Sequence, residues 1–386
     1  MQNSIRNPLI AACILLLTAL LISGCGSLQR GYDAALVLGD LAAGNEDSRL
    51  KRRTETPERV DHPFAVDGRS YAADLYLPET AHRGTLVLVH GFTEEGRRDP
   101  RLVDFAQTLS RAGFRVLVPE LDGLRDLSIS TREAEAIADA VRHATGPDGP
   151  AEEGATALAA ISFAVGPALV AAMEDDTRDR VSFVISVGGY YSLPDMLRYV
   201  TTGYDRDGAG AGAPPPQRAA RWAALLSQAH WLDEAQDREA LKTIARRRME
   251  DGTARVVDQL RQLTPQGRAV YSLIMNRDPE QVDDLLQRMP PRLLEELGAL
   301  DLAELDLERL EARLVMIHGP DDRVIPVSHS RRLKEALPEG QARLFEAGGL
   351  GHVDVTPGLR DGFGLWRATR YVLRQGEAQA SLGSNP

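Results

Sequence analysis

Cysteine is almost absent from this chain: its 386 residues include two, Cys13 and Cys25, both near the start. That scarcity excludes a disulfide framework and any zinc site built on several thiolates. Histidine is sparse as well. The eight present show no H-E-x-x-H pairing or comparable cluster, so metal-dependent hydrolysis is not expected and neither metal nor cofactor is implied. Positive charge is in deficit, with 45 Lys and Arg against 56 Asp and Glu and a formal net charge of −11. An acidic surface attracts nucleic-acid phosphates poorly, so no nucleic-acid partner is expected. Gly188-Gly189 lacks the rest of a G-x-G-x-x-G phosphate loop and reads as a tight turn. What is present is a composition 43% hydrophobic and 26% charged. It can bury at least one large core and is unlike disordered, collagenous or coiled-coil chains.

The first segment carries an address. Arg6 precedes an apolar run from Pro8 to Ile22, and Ser23-Gly24-Cys25 closes it with small residues, the three-part build of a secretory signal. The run is short for a bilayer span. Ile22-Ser23-Gly24-Cys25 resembles the lipobox of bacterial lipoproteins. The resemblance implies that residues 1–24 are a signal peptide and that Cys25 is acylated as the first mature residue, with 25–60 as anchor and N-terminal segment. The alternative is an uncleaved signal anchor in which Cys25 is a bystander. Cleavage leaves no pair of thiols, so no intrachain disulfide forms, and several acyl chains make such an anchor effectively permanent. By analogy with enteric bacteria, Gly26 in place of aspartate points to the periplasmic face of the outer membrane rather than the inner membrane. Lys51-Arg52-Arg53 lies near the anchor and reads either as a contact for anionic headgroups or as a solvated face.

Beyond the anchor, strands and helices alternate. Phe64 to Tyr71 reads as a hairpin around Asp67-Gly68, and alternation through Ala73, Leu75 and Leu77 up to Pro78 predicts an antiparallel edge. Short apolar runs follow at Thr85 to Val89, Val116 to Val118, Ala157 to Ile161, Val181 to Val187 and Leu314 to Ile317. They suit strands buried on both faces. Helical stretches between them, such as Leu102 to Ala112, Thr131 to Ala144, Ala164 to Met173 and Ser330 to Ala336, supply the crossovers that parallel strands require. The expected class is α/β, a doubly wound and mostly parallel sheet, with a core over 61–189 and 311–375 and a flexible tail over 376–386.

Residues 190–310 break the alternation and read as a helical insertion. Trp222, Leu225, Leu226 and Ala229 fall at helical spacing, as do Val282, Leu285, Leu286 and Met289, the latter behind a start signal at Asp278-Pro279-Glu280-Gln281. Asp205 to Pro216 is rich in Gly, Ala and Pro and reads as a flexible connection. A static cover and a mobile lid give the same pattern, so both readings stand.

The chemistry concentrates at strand ends. Ala160-Ile161-Ser162-Phe163-Ala164 follows a strand and opens a helix, the setting of a nucleophile elbow, although both usual glycines of G-x-S-x-G are alanines. A serine hydroxyl is nearly inert at neutral pH and needs a base and a group to orient that base. Asp322, on the turn after the strand Leu314 to Ile317, and His352, on a glycine-rich loop, supply these roles in the chain order serine, aspartate, histidine. Asp321 is the rival, and the spacing between Gly319 and Pro326 favours Asp322. Backbone N–H groups of Phe92 and Phe163 are expected to form the oxyanion hole. Gly91 lets the backbone approach. His90 and His318 read as structural. Tyr190, Tyr191 and Leu193 are expected near the mouth of the site, the two tyrosines as substrate contacts, and Trp222 and Trp231 read as ordinary packing between cap and core or as walls of the site. Glu94, Glu95, Arg97, Arg98 and Asp99 form a solvated loop or a polar selector.

Together, HGF (90–92), AISFA (160–164), HGPDDRVIP (318–326) and GLGHVD (349–354) resemble the α/β-hydrolase superfamily over roughly Phe64 to Gln375. Residues 90–102 and 112–124 are similar to those of envelope-anchored bacterial members. The resemblance implies a helical cap on an α/β-hydrolase core and a Ser162, Asp322, His352 triad that cleaves esters, less often amides, thioesters or peptides. The thiol-dependent dienelactone hydrolase chemistry is excluded, because the folded part retains no cysteine. The expected activity is that of a membrane-tethered serine esterase acting on a small ester or acyl substrate. An amidase or peptidase using the same triad is one alternative, and a non-catalytic envelope binding or assembly lipoprotein the other. Oligomeric state is not legible.

Overall fold

The structure, a computed structural model, describes residues 8–151, 154–206, 214–352 and 362–383, the side chains of 8–25 and 382–383 lying outside the described set. The strands are β1 (Glu58–Asp61), β2 (Phe64–Val66), β3 (Arg69–Tyr71), β4 (Ala73–Leu77), β5 (Thr85–Val89), β6 (Arg115–Pro119), β7 (Thr156–Ile161), β8 (Val181–Val187), β9 (Arg313–His318) and β10 (Ala342–Glu346). Helices α1 (Pro8–Ala43), α2 (Pro100–Arg111), α3 (Asp122–Arg125), α4 (Thr131–Ala144) and α5 (Val165–Ala172) precede an insertion. The insertion holds α6 (Leu193–Thr202), α7 (Arg218–Ala229), α8 (Ala235–Glu250), α9 (Val257–Gln262), α10 (Pro265–Met275), α11 (Val282–Leu286) and α12 (Pro291–Leu300). Helices α13 (Val327–Ala336) and α14 (Gly362–Gly383) close the chain.

Eight strands form one sheet in the order β1-β4-β6-β5-β7-β8-β9-β10. From β6 to β10 neighbours run parallel, whereas β1 and β4 pair antiparallel at one end. The side-chain period of two sends alternate residues of each strand to opposite layers. Val87, Val89, Leu158 and Ala160 join α4, α5 and the base of the insertion in one buried cluster. Leu86, Leu88, Ala157 and Ala159 join α1, α2 and α14 in another. This double burial explains why the central strands read as unbroken apolar runs. The insertion has a third cluster of its own, centred on Leu225, Leu241, Val270 and Leu273.

The hairpin forms as expected, with Asp67 (φ 49°) and Gly68 (φ 81°) both left-handed at its turn. It makes a separate two-stranded sheet rather than the sheet edge. Asp139 of α4 ties it down by accepting from Arg69 Nε and Tyr71 Oη, each at 2.7 Å. The edge strand is instead β1, too short and polar to read as a strand, and β10 at the other edge is equally cryptic. In the insertion, α11 ends at Leu286, and Met289 lies beyond it, although Val282, Leu286 and Met289 all reach the insertion's core.

Both ends of the insertion are pinned at one seam. The Leu193 N–H donates to Asp301 Oδ1 at 3.1 Å and the Tyr190 hydroxyl to the Leu300 carbonyl at 3.0 Å. Burial pushes the Asp301 carboxyl up to about 6. Of the connection from Asp205 to Pro216, residues 207–213 lie outside the described residues. Its flanks are held by Ser328 Oγ donating to Asp205 (2.9 Å) and Tyr199 Oη donating to the Pro214 carbonyl (2.7 Å).

Two terminal segments depart from expectation. Ala34, Val37, Leu38 and Leu41 follow helical spacing, and Ala34 and Val37 are buried against α2 and α14, so this part of the segment after Cys25 belongs to the core. Residues 376–383, expected as part of a flexible tail, continue α14. The buried Gln379 amide donates to the Thr85 carbonyl at 2.9 Å and the Ala155 carbonyl at 2.7 Å, satisfying backbone at the start of two central strands. Gln379→Ala is therefore expected to lower unfolding stability by about 1–2 kcal/mol in a urea titration; a freely mobile tail would give no change.

Candidate active site

The sheet order changes direction at β5, whose partners β6 and β7 come later in the chain on either side. In such sheets a crevice opens at the C-terminal strand ends. Every residue expected to carry chemistry stands there: Phe92 after β5, Ser162 after β7, Asp322 after β9 and His352 after β10.

Ser162 sits at φ 60°, one of three non-glycine residues with positive φ among the described residues. That strained conformation projects a side chain above the sheet and is sustained only by its surroundings. Ala160 and Ala164, in place of the usual glycines, are fully buried in the core beside it. The room comes from other glycines. A Cβ on Gly91 would stand 3.3 Å from the Ile161 carbonyl oxygen and 3.6 Å from Ser162 Cβ, and one on Gly166 would collide with the Tyr190 hydroxyl.

Ser162 Oγ lies 2.5 Å from His352 Nε2, and His352 Nδ1 lies 2.7 Å from Asp322 Oδ2. The other carboxylate oxygen, Asp322 Oδ1, accepts from the backbone N–H of Val324 (2.8 Å) and Ile325 (3.0 Å). His318 Nε2 stands 3.3 Å from Oδ2. Burial by itself would raise this carboxyl, but its hydrogen bonds with His318 and His352 hold it well below the usual carboxylate range. An aspartate so held stays anionic and keeps the imidazole proton on Nδ1. Nε2 is then free to accept from Ser162. The rival Asp321 is exposed.

Gly188, read in sequence as part of a tight turn, has φ +61°, and a Cβ there would lie 3.4 Å from both Asp322 Oδ2 and His352 Nδ1. The turn thus doubles as the floor beneath the aspartate–histidine pair. His318 is a buried structural residue, its Nε2 bonded to the Ile325 carbonyl (2.8 Å) and its Nδ1 to Ser330 Oγ (2.7 Å). His90 is structural too: its Nδ1–H donates to the Gly91 carbonyl and its Nε2 accepts from the Leu121 N–H. Burial pushes its imidazole down, toward the neutral form this pattern needs.

Phe92 and Phe163 flank the serine with rings stacked at 5.2 Å, and both line a cavity of about 700 Å³ that reaches Ser162 and His352. On one side its wall comes from the insertion, chiefly Ala220, Ala223, Ala224 and Leu297, with Leu193 and Trp231. On the other, the lining continues through Leu38, Leu41, Phe105, Leu365 and Leu373 of α1, α2 and α14. No group of three or more His, Cys, Asp or Glu side chains able to hold a metal occurs among the described residues.

Tyr190 and Tyr191 correct the expectation: neither lines the cavity. Gly188-Gly189 turns the chain so that the fully buried Tyr190 ring fills the space left by Gly166. Tyr191 packs under the Arg332 guanidinium and its N–H donates to His329 Nδ1 at 3.1 Å. Trp222 follows its packing reading, buried in the insertion's core beneath Arg248. Of the charged loop after β5, Arg97 is buried against Asp74 and Asp99 caps α2, so these charges build the fold, although Asp99 also touches the cavity rim. Cys25 lies on the backbone of α1, and its side chain is outside the described residues. Among the described residues no helix is long and apolar enough to cross a membrane.

No protein-family model matches the sequence, and no curated protein does. Solved structures do share the architecture. A presumed hydrolase from Legionella pneumophila aligns at 14% identity over 84% of this chain and 90% of its own, with a TM-score of 0.52. A thermostable carboxylesterase from a metagenomic library aligns at 13% over 87% and 93%, TM-score 0.45. Dienelactone hydrolase from Anabaena variabilis aligns at 14% over 82% and 97%, TM-score 0.43. At these identities the likeness speaks to the fold, and the chain has the α/β-hydrolase fold.

Gly188→Val is expected to displace the aspartate–histidine pair. Reaction of Ser162 with a fluorophosphonate should slow by at least about 10²-fold, the penalty of misplacing a reacting group by about an ångström. The downfield imidazole N–H resonance of His352 should be lost from the proton spectrum.

Proposed function

We propose that this protein is a serine hydrolase that cleaves carboxylic esters through an acyl-enzyme on Ser162. The observation that carries the reading is the continuous hydrogen-bonded line Ser162, His352, Asp322 at 2.5 Å and 2.7 Å, opening on an apolar cavity. In the first half-reaction Ser162 Oγ attacks the ester carbonyl while His352 Nε2 takes its proton. The oxyanion is held by the Phe92 and Phe163 N–H groups, and the tetrahedral adduct collapses as His352 returns the proton to the departing alcohol. Water then repeats the sequence on the acyl-enzyme and frees the acid. Asp322 stays ionised throughout and stabilises the imidazolium.

The wall residues support an apolar acyl group. The lining near the serine is dominated by alanine, leucine and phenylalanine side chains, and an aliphatic chain gains roughly 0.8 kcal/mol for each methylene it buries there. The lipobox-like Ile22-Ser23-Gly24-Cys25 supports attachment through acylated Cys25, and Gly26 supports the periplasmic face of the outer membrane.

Treating the protein with a fluorophosphonate and mapping the modified peptide tests the reaction. Labelling is expected at Ser162, absent in Ser162→Ala and nearly lost in His352→Ala. Asp322→Asn should lower ester turnover by about 10⁴-fold, because the imidazole then adopts the wrong tautomer. A folded wild type that stays unlabelled would overturn the catalytic reading in favour of a binding module, and amide turnover matching that of esters would make the enzyme an amidase.

The cavity makes a second prediction. Across p-nitrophenyl esters, kcat/KM is expected to rise from acetate to octanoate, and Ala223→Trp, which fills the wall contributed by α7, should abolish the rise while sparing acetate. A flat series would show that the cavity does not receive the acyl chain.

A further inference from the structure

We propose that a concave arginine-rich face formed by α1, β10 and α14 docks on an anionic phospholipid surface, independently of any covalent anchor. Its centre is a depression of about 310 Å³ lined by Ser27, Arg30, Arg343, Arg367, Arg370 and Arg374, with two aromatic rings and no carboxylate among the lining residues. This concentration of positive charge stands out on a chain of net charge −11.

The arginines are held ready rather than neutralised. Arg343 lies over the Phe345 and Tyr371 rings at 5.3 and 4.9 Å, Arg374 over Tyr371 at 5.3 Å, Arg370 over Trp366 at 5.6 Å and Arg367 over Phe363 at 6.0 Å. Stacking on a ring face fixes a guanidinium plane and leaves its edge donors directed outward. Among the described residues none of these four arginines pairs with a carboxylate, whereas Arg30 bonds Glu377 at 2.7 Å. Arg370 donates to Ser27 Oγ, and its Nε is buried without a partner. Planar guanidinium forks around one depression are the donor set that phosphate oxygens require.

Three further observations favour a lipid surface as the source of those phosphates. Exposed apolar side chains neighbour the residues lining the depression: Leu28, next to Ser27 in the chain, is 77% exposed, and Phe363, beneath the Arg367 guanidinium, is 63% exposed. Aromatic and leucine side chains of this kind enter the headgroup region while arginines hold its phosphates. Ser27 lies two residues beyond Cys25, so an anchored chain leaves the bilayer beside this face. Finally, α1 and α14 turn their other sides to the cavity that reaches Ser162, which brings that arm of the cavity close to the lipid.

The basic run singled out in sequence does not share this role. Arg52 pairs with Asp47, Lys51 Nζ donates to the Glu46 carbonyl and Arg53 covers Tyr32. The docking face is assembled from arginines scattered between Arg30 and Arg374.

Position near the bilayer rests in part on the anchored reading above, so the test removes the anchor. All three hydrophobic clusters are built from residues at or after Ala34, and the chain starting at Gly26 retains them. Its co-sedimentation is measured with phosphatidylcholine vesicles and with vesicles containing three parts phosphatidylglycerol in ten. Binding is expected to the anionic vesicles alone and to fall with added salt. Arg367→Glu/Arg374→Glu should weaken it by at least roughly tenfold, from the contribution each surface arginine makes near anionic lipid. Arg255→Glu/Arg261→Glu on the insertion, an equal change of net charge, should leave it intact. Equal binding to both vesicles, no binding, or equal loss in the two variants overturns the proposal. A thermal shift with inorganic phosphate, abolished by the first pair, without vesicle binding also overturns it in favour of a site for a soluble phosphate. Intact serine labelling in the patch variant separates this outcome from failure of the catalytic reading, and the mass of the N-terminal peptide of the full chain tests the anchor separately.

Discussion

The site depends on one buried carboxylate. Asp322 is removed from water at the end of β9, where an ionised group survives only if hydrogen bonds replace its hydration. The two backbone N–H groups of Val324 and Ile325 hold one oxygen, and His318 and His352 share the other. That arrangement fixes the anion, the anion fixes the tautomer and orientation of His352, and His352 in turn reaches Ser162. The neighbouring glycine at 188 is part of the same constraint: a Cβ there would already touch the carboxylate and the imidazole, leaving no room for a larger side chain, and its φ of +61° favours glycine.

What allows such a site to persist is a sheet buried on both faces. Alternate residues of β5, β7, β8 and β9 pack into two separate clusters, so the strand ends cannot drift, and a strained residue such as Ser162 is over-determined by its surroundings. Gln379 contributes from far along the chain, satisfying carbonyls where β5 and β7 begin. The helical insertion has its own core and is stitched to the sheet at the Asp301–Leu193 seam.

Helices α1 and α14 serve several purposes at once. One side of α14 buries Ala368, Val372 and Leu373 in the core, and another presents Arg367, Arg370 and Arg374. Helical spacing makes this division natural, since residues three, four and seven apart share a face. The same is true of α1, whose Ala34 and Val37 pack inward while Ser27 and Arg30 border the arginine face. One arm of the apolar cavity and the basic surface are thereby arranged on different sides of one pair of helices.

By itself the sequence determined the α/β class, the central strands, the helical character of 190–310 and the order Ser162, Asp322, His352. These are local properties: periodicity reports burial, and a strand-to-helix serine or a G-x-x-D turn is written in a few adjacent residues. The helical spacing of Ala34, Val37, Leu38 and Leu41 was also legible, though overshadowed by the signal-like segment before it. Only the tertiary structure decided that Tyr190 turns under the elbow and away from the cavity, that Gly188 supports Asp322, that residues 376–383 are helical and buried at Gln379, and that Arg30, Arg343 and Arg374 meet on one face. Each of these rests on a distance between residues remote in sequence, which is set by how the sheet, its loops and its covering helices close on one another and leaves no trace in the local order of side chains.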